Sequence, residues 1–372
     1  MRIGVEASRA NRLHRTGVEW YAYHLMRELA HLPEAARHEW LAYTESPLQP
    51  DLREVIPHWH EKILPWFPKY LWTQVRLSLE MYQHPPDVLF IPAHVLPRVL
   101  PKKTVVTIHD VGFHRFPHLY KPIQVAYHEI TTRDIVRSNA RIITVSEFCK
   151  QEIMDIYKAS SEQITVTPLG IDHARYRPQT EVEKTRVREK YQLNKPFLFF
   201  VGRLEEKKNI ARVVEAFCAA ASSLPNEAEL VLAGPAGKGW NQVSRWLETH
   251  PMRSRVRVLG YLSEMDKPGL TAAAHGYIQA SLYEGFGLPV LEAMACETPV
   301  LCSRVASLPE IVGSARAIFF DPISVEEISL AMQKLFALST SEREQMRHLG
   351  VEHVHEYTWQ RTAQATLPVL VS

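Results

Sequence analysis

Short apolar runs alternate with stretches of helical period along almost the whole chain, and they do so in two series. The first series is RIGVEA (2–7), WLAYT (40–44), KILPW (62–66), DVLFIPA (87–93), TVVTIHD (104–110), ARIITVS (140–146) and ITVTPLG (164–170). Helical patterns occupy 18–30, 72–82, 122–138 and 147–157 between them. The second series is FLFFVG (197–202), ELVLAG (229–234), RVRVLGY (255–261), GYIQAS (276–281), PVLCSRV (299–305) and AIFFDP (317–322). A strand is apolar throughout only when both its faces are covered, so each series predicts a parallel sheet with helices on both sides. A chain of 372 residues suits two such domains better than one core. The polar, proline-broken stretch IDHARYRPQTEVEK places the boundary near 172–195. Doubly wound domains bind ligands in the crevice at the carboxyl ends of their strands, which confines the search for function to those ends.

The most informative end is SLYEGFGLPVLEAMACETPV, residues 281–300. It reads as a strand end, a glycine loop, a helix and the next strand. Pro289 suits a first helical turn, where its missing amide would be unpaired anyway. The amides of Gly285, Phe286, Gly287 and Leu288 would then stand at a helix N-terminus, which attracts anions. Glu284 would lie at the loop mouth and Glu292 one turn into the helix. Two carboxylates beside an anion site suit a ligand with hydroxyls and phosphates, such as a nucleotide sugar.

FLFFVGRLEEKKN adds two cations. Its strand ends at Gly202, Arg203 follows, and Lys208 precedes a helix. Arg203 as a fork and Lys208 as a point charge could together neutralise a diphosphate without a metal; the bland reading is exposed charge at a helix start. His109, with Asp110, ends TVVTIHD and can face the crevice or be structural, in a chain with 18 histidines. After the first strand, Arg9, Arg12 and Arg15 precede Gly17, which opens a helix: an anion-facing turn or a solvated basic loop. Ser146 reads as a helix N-cap rather than a nucleophile. LAGPAGKGW reads as a flexible turn, and the tryptophan-rich segment 56–81 as a packed helix or a membrane-surface patch.

Other classes lack support. G-x-G-x-x-G, the Walker pattern, G-x-S-x-G and D-x-D are all absent. The four cysteines form no C-x-x-C pair and suit a reducing compartment. With 46% hydrophobic and 23% charged residues and a net charge of +2, the chain is globular and carries no nucleic-acid signal. No apolar run approaches a bilayer span, and MRIGVEASRA reads as a strand rather than a signal peptide. A cytoplasmic protein is expected, with peripheral contact at the membrane face left open.

At these residues the chain resembles the retaining glycosyltransferases of family four, which have the GT-B fold. The resemblance is carried by E-x7-E (Glu284 and Glu292 in EGFGLPVLE), by GR-x4-K (Gly202, Arg203, Lys208), and by TPLGID, TVSEFCK and the His-Asp pair at 109–110. A single Gly17 departs from relatives with two or more glycines in that loop. The resemblance implies an α/β protein of two Rossmann-like domains facing across a cleft. Residues 1–175, with a C-terminal helix at about 355–372, would take the acceptor; residues 190–354 would take the donor. Arg203 and Lys208 would hold the donor diphosphate, and Glu292 the ribose hydroxyls. Glu284 and the 285–288 amides would address the transferred sugar. His109 would lie near that sugar, and Gly17 near the diphosphate or the acceptor. The expected reaction moves a hexose, with mannose the first choice, from a nucleotide-diphosphate sugar to a glycan or lipid-linked acceptor. Retention, independence of metal and the absence of any cofactor belong to that expectation, as does deprotonation of the incoming hydroxyl by the departing phosphate. A nucleotide-sugar epimerase and a non-catalytic nucleotide-sugar-binding subunit remain as alternatives.

Overall fold

The structure is a computed structural model and describes residues 1–67, 70–225, 227–314 and 316–372. It contains two wholly parallel sheets. The first is built from β1 (Arg2–Glu6), β2 (Glu39–Thr44), β3 (His60–Ile63), β4 (Val88–Ile91), β5 (Lys103–Ile108), β6 (Arg141–Thr144) and β7 (Ile164–Val166). The second is built from β8 (Phe197–Val201), β9 (Glu229–Ala233), β10 (Val256–Gly260), β11 (Gly276–Gln279), β12 (Val300–Ser303) and β13 (Ile318–Phe320). The strand orders are β3-β2-β1-β4-β5-β6-β7 and β10-β9-β8-β11-β12-β13. In each sheet the chain winds outward one way, returns to the middle and winds out the other way. The switch point lies between β1 and β4 in one sheet and between β8 and β11 in the other. The central strands are buried along their length, as their unbroken apolar runs require.

The chain divides into two compact units, 1–170 with 357–372, and 171–356. The sequence placed the first boundary later, leaving 176–189 unassigned and 171–175 with the first domain. The reason is that helix Glu181–Tyr191 has one fully buried apolar side chain, Val187, and otherwise reads as linker. Its hold on the second unit is polar. Arg186 and Lys190 donate to the two oxygens of buried Asp266 at 2.9 and 2.6 Å, and the Tyr191 hydroxyl donates to it at 2.8 Å. Such contacts depend on a partner some 80 residues away and leave no local period.

The C-terminal helix Trp359–Val371 belongs to the first unit and packs on helix Gly17–His31. The Trp359 ring stacks on His24 with centroids 5.0 Å apart, and the Thr362 hydroxyl donates to the Pro168 carbonyl at 2.7 Å. Gly170 lies so close to this crossing that a Cβ there would stand 2.0 Å from the Trp359 amide nitrogen. The tryptophan-rich segment is packed in part. Trp59 stacks on Trp40 at 4.6 Å, and the Trp72 indole donates to the Leu64 carbonyl at 2.8 Å. The helix expected at 72–82 is a wide turn, Thr73–Leu77, running into Ser78–Gln83. Residues 68 and 69 of that segment lie outside the described residues. Among the described residues, no helix is long and apolar enough to cross a membrane.

Candidate active site

In the second unit the switch point makes β8 and β11 neighbours, so the loops that follow them are adjacent. These loops carry the GR-x4-K and E-x7-E residues. They are tied at the backbone, where the Leu282 amide donates to the Lys207 carbonyl at 3.0 Å. They are tied again by charge: the Lys208 ammonium lies 2.6 Å from Glu284 Oε1. That oxygen also accepts from Gln279 Nε2 at 2.7 Å and Ser281 Oγ at 2.6 Å. Glu284 is therefore held inside the loop, 8% exposed, rather than standing at its mouth as the sequence suggested. Burial pushes its pKa up, but the charges of Lys208 and Lys207 and the hydrogen bonds from Lys208 and Ser281 outweigh burial, and the net shift is downward. The carboxylate is ionised at neutral pH, and its lowered pKa, with three donors on Oε1, makes it a weak general base.

The 284–288 loop is braced from behind. Ser307 Oγ donates to the carbonyls of Glu284 and Phe286 at 2.9 and 3.1 Å. Gly287 caps helix Leu288–Ala295 with φ 103°, a conformation side chains disfavour, and a Cβ there would meet Leu308 at 2.5 Å. Gly285 and buried Phe286 complete the turn, Leu288 opens the helix and Pro289 stands in its first turn. Just after β8, the Gly202 amide donates to the Ala233 carbonyl, and the backbones of Gly202 and Gly234 pass so closely that a Cβ on Gly234 would stand 2.0 Å from the Gly202 carbonyl oxygen.

Arg203 takes a different acid from Lys208. Its side chain is more than half exposed, its Nε is 3.9 Å from Glu205, and it lies along Gly237. The GPAGKGW turn is not loose. Leu204 donates its amide to the Pro235 carbonyl at 2.9 Å and accepts at its own carbonyl from the Gly237 amide at 2.8 Å. Glu206 donates its amide to Lys238 at 2.9 Å. Lys208 ends a short turn, Glu206–Lys208, and Asn209 in the left-handed conformation starts helix Ile210–Ala220.

Glu292 sits apart from Glu284, in a set with Tyr176, Arg175, Glu264 and Lys267. Tyr176 hydrogen-bonds its carboxyl, and Arg175 reaches Glu264 at 3.2 Å. Burial, with Glu264 adding to it against Lys267, pushes the Glu292 pKa up to about 7. The unfolded carboxyl ionises near 4.5. The folded state keeps the proton longer, so this group's contribution to stability declines as pH rises from about 4.5 to about 7.

The remaining two candidates belong to the first unit. His109 follows β5 and is half-buried. Its Nε2 lies 3.1 Å from the Pro92 carbonyl, which can only accept, so Nε2 carries the hydrogen and Nδ1 is an acceptor. Burial lowers its pKa against the opposing effects of Pro92 and Asp110, and the ring is neutral at pH 7. Tyr21 packs edge-on against it at 4.6 Å. Gly17 opens its helix behind a Thr16–Glu19 capping box, and a Cβ on it would meet nothing within 4 Å. The fold alone does not require glycine there. The arginines before it are engaged: Arg9 with Glu19 at 3.7 Å, Arg12 with Glu45 at 3.9 Å, and Arg15 with Asp51.

Sequence reasoning missed Gln279, Ser281, Ser307, Lys207 and Tyr176. A signal existed for the first: a glutamine inside an otherwise apolar buried strand must find a partner. Ser307 and Tyr176 act from distant loops and leave no local trace.

With the geometry established, comparison with known proteins defines the class. Residues 181–351 match the family described as glycosyl transferases group 1, and residues 15–175 match glycosyltransferase family 4. The chain is 33% identical over 283 residues to the O-antigen chain mannosyltransferase B of Escherichia coli, covering 74% of this chain and 72% of that protein. It is 27% identical over 274 residues to the serotype-specific mannosyltransferase WbdA of Escherichia coli, spanning 33% of that longer protein. Its fold is shared with the sucrose-phosphate synthase of Thermosynechococcus elongatus, with a TM-score of 0.76 at 18% identity over 99% of this chain and 98% of that one. It is shared equally with the HepE protein of Anabaena, solved with UDP and glucose, with a TM-score of 0.76 at 16% identity over 100% and 99%. The chain belongs to the GT-B glycosyltransferases of the group 1 and family 4 type, and it is a glycosyltransferase.

Proposed function

We propose that this enzyme transfers mannose from a nucleotide-diphosphate donor to a hydroxyl of a glycan or lipid-linked acceptor, with retention at the anomeric carbon and without a metal. The observation that carries the reading is the Lys208–Glu284 pair at the β8/β11 switch point, beside the N-terminus of helix Leu288–Ala295. The 33% identity to a mannosyltransferase supports the choice of sugar.

The bond from the anomeric carbon to the diphosphate oxygen breaks, and the bond to the acceptor oxygen forms. Positive charge builds on the sugar and negative charge on the leaving diphosphate. Lys208, Arg203 and the loop amides stabilise that negative charge. The acceptor proton passes to the leaving phosphate, since the Glu284 pKa is lowered and its Oε1 already accepts from three donors. Glu284 positions Lys208 and the sugar-binding loop, and Glu292 accepts the ribose hydroxyls. The 171–356 unit is assigned to the donor and the 1–170 unit to the acceptor, with Gly17 admitting a close approach and His109 Nδ1 accepting from a sugar hydroxyl.

The test is a panel of nucleotide sugars incubated with oligomannose acceptors, the product anomer being read by NMR. GDP-mannose giving an α-linked product is the expected result. Transfer of another sugar, or a β-linked product, removes the corresponding part of the proposal. A second expectation follows from Glu292. Ribose hydroxyls donate to the ionised carboxylate, so nucleotide binding releases its proton and tightens as pH rises through about 7. Titration calorimetry should show affinity about tenfold higher at pH 8 than at pH 6. Glu292→Gln should flatten that slope; a wild-type affinity independent of pH would remove Glu292 from the ribose site.

A further inference from the structure

Two helical segments of the first unit expose apolar stripes. Ile123, Tyr127 and Ile130 repeat at helical spacing along Pro122–Arg137, with Ile123 78% and Ile130 61% exposed. The opposite side of that helix buries Thr132 and Ile135. Leu71, Val75, Leu79 and Tyr82 form the second stripe, with Leu71 59% and Tyr82 76% exposed. The stripes adjoin: Gln74 Nε2 donates to the Tyr127 hydroxyl at 2.8 Å. A groove of about 530 Å³ lies between them, its apolar lining including Leu71, Tyr127 and Ile130 with Leu96, Pro97 and Leu100.

Single exposed apolar residues need no explanation, whereas contiguous stripes around a groove do. The charge around them decides what covers this one. The segments 71–82, 96–102 and 121–137 carry Arg76, Arg98, Lys102, Lys121, Arg133 and Arg137 against Glu80, Glu129 and Asp134. Glu80 is buried, with Lys62 and Arg76 each 3.4 Å from it, and Glu129 is paired with His114 and Arg133. With Arg76 and Arg133 spent on those acids, exposed Arg98, Lys102, Lys121 and Arg137 remain against Asp134, which lines the groove, so the patch presents apolar tips inside a border with a net excess of cations. A second copy related by a two-fold axis would set that border against itself. An anionic lipid surface complements both parts, since aliphatic and aromatic tips enter the headgroup region while Lys and Arg meet phosphates.

We propose that this face of the first unit, formed by the 71–82 and 122–137 stripes and the groove between them, docks the enzyme on an anionic lipid bilayer. It is separate from the donor site, and none of its residues is assigned to the transfer reaction.

The test is flotation of the full chain with vesicles of phosphatidylcholine alone, or with about one-third phosphatidylglycerol. The wild type should float with the anionic vesicles, about tenfold less with neutral ones, and less again in about 0.5 M salt. Ile123→Glu with Ile130→Glu should cut flotation about tenfold. Both positions are exposed, so an unchanged melting curve is expected and checks that the variant is folded. Wild-type protein staying at the bottom with both vesicles overturns the proposal, as does undiminished flotation of the folded variant. Sedimentation equilibrium without lipid covers the remaining case: a dimer abolished by the same two substitutions would make this face a self-interface and also overturn it. Flotation does not read transfer, so either proposal can fail while the other stands.

Discussion

Glu284→Gln will lower turnover at saturating donor by about 10²- to 10³-fold while the chain stays folded. Glutamine keeps the shape of the side chain and one oxygen to accept from Ser281 and Gln279, but it removes the charge that holds Lys208. The ammonium then loses the partner that fixes it at the loop, and the amide end of glutamine cannot accept in the carboxylate's place. The loop keeps its other brace, since Ser307 binds main-chain carbonyls and does not depend on this side chain. The expected signature is a fall in the turnover number with nucleotide affinity changed much less. The measurement is initial rate against donor concentration, with circular dichroism melting as the fold control. Turnover within about threefold of wild type would sink the role given to Glu284.

Arg203→Ala combined with Lys208→Ala will weaken binding of the nucleoside diphosphate by about 10²- to 10⁴-fold, two charge-assisted contacts at about 1.5–3 kcal/mol each. The two single variants should differ. Arg203 is largely exposed, so its loss should remove its proposed contact to the ligand and, within the protein, an exposed pairing with Glu205. Loss of Lys208 also strands Glu284, whose carboxyl is then buried without its closest cation. With that cation gone, burial dominates and the Glu284 pKa rises, so the Lys208 variant should lose stability as pH rises through the new value. In the wild type the sign is opposite: the depressed pKa contributes stability above about 4.5 that is lost as pH falls below it. Calorimetry with GDP and UDP across salt concentrations checks the binding, and thermal melts across pH check the coupling. Unchanged diphosphate affinity in the double variant would take both cations out of the site.

Much of this was legible from residues alone. The buried strands of both sheets fall on apolar runs, because a strand covered on both faces has no choice of composition; the edge strand β3, HEKI, is largely exposed and starts two residues before the run expected at 62–66. Helix Glu147–Tyr157 begins where Ser146 announced it, with the serine side chain accepting from the Cys149 amide. Gly287 and Pro289 marked the helix start after β11 through local backbone demands. Helix Glu181–Tyr191 was left outside both domains because its attachment is through charge to Asp266, and charge at the surface has no period. The loop carboxylate was placed too far out for a related reason. Glu284 looked free because Lys208 reaches it from 76 residues away, while Gln279 and Ser281, five and three residues before it, turn back onto it only when the loop folds.

What the sequence by itself determined is the kind and order of elements, and the presence at strand ends of residue types that suit a sugar diphosphate. These follow from short-range rules of burial period, capping and turn geometry. What only the tertiary structure decided is which of those residues meet. The order β9-β8-β11-β12 sets β8 beside β11, although β9 and β10 intervene in the chain, and so brings Lys208 to Glu284 across 76 residues. Glu292, in the helix that follows the same loop, meets a different set of neighbours, so one carboxyl has a lowered and the other a raised pKa. A carboxylate's chemistry is set by the few ångströms around it, and for Glu284 the cation among those neighbours is supplied by strand order rather than by closeness in sequence.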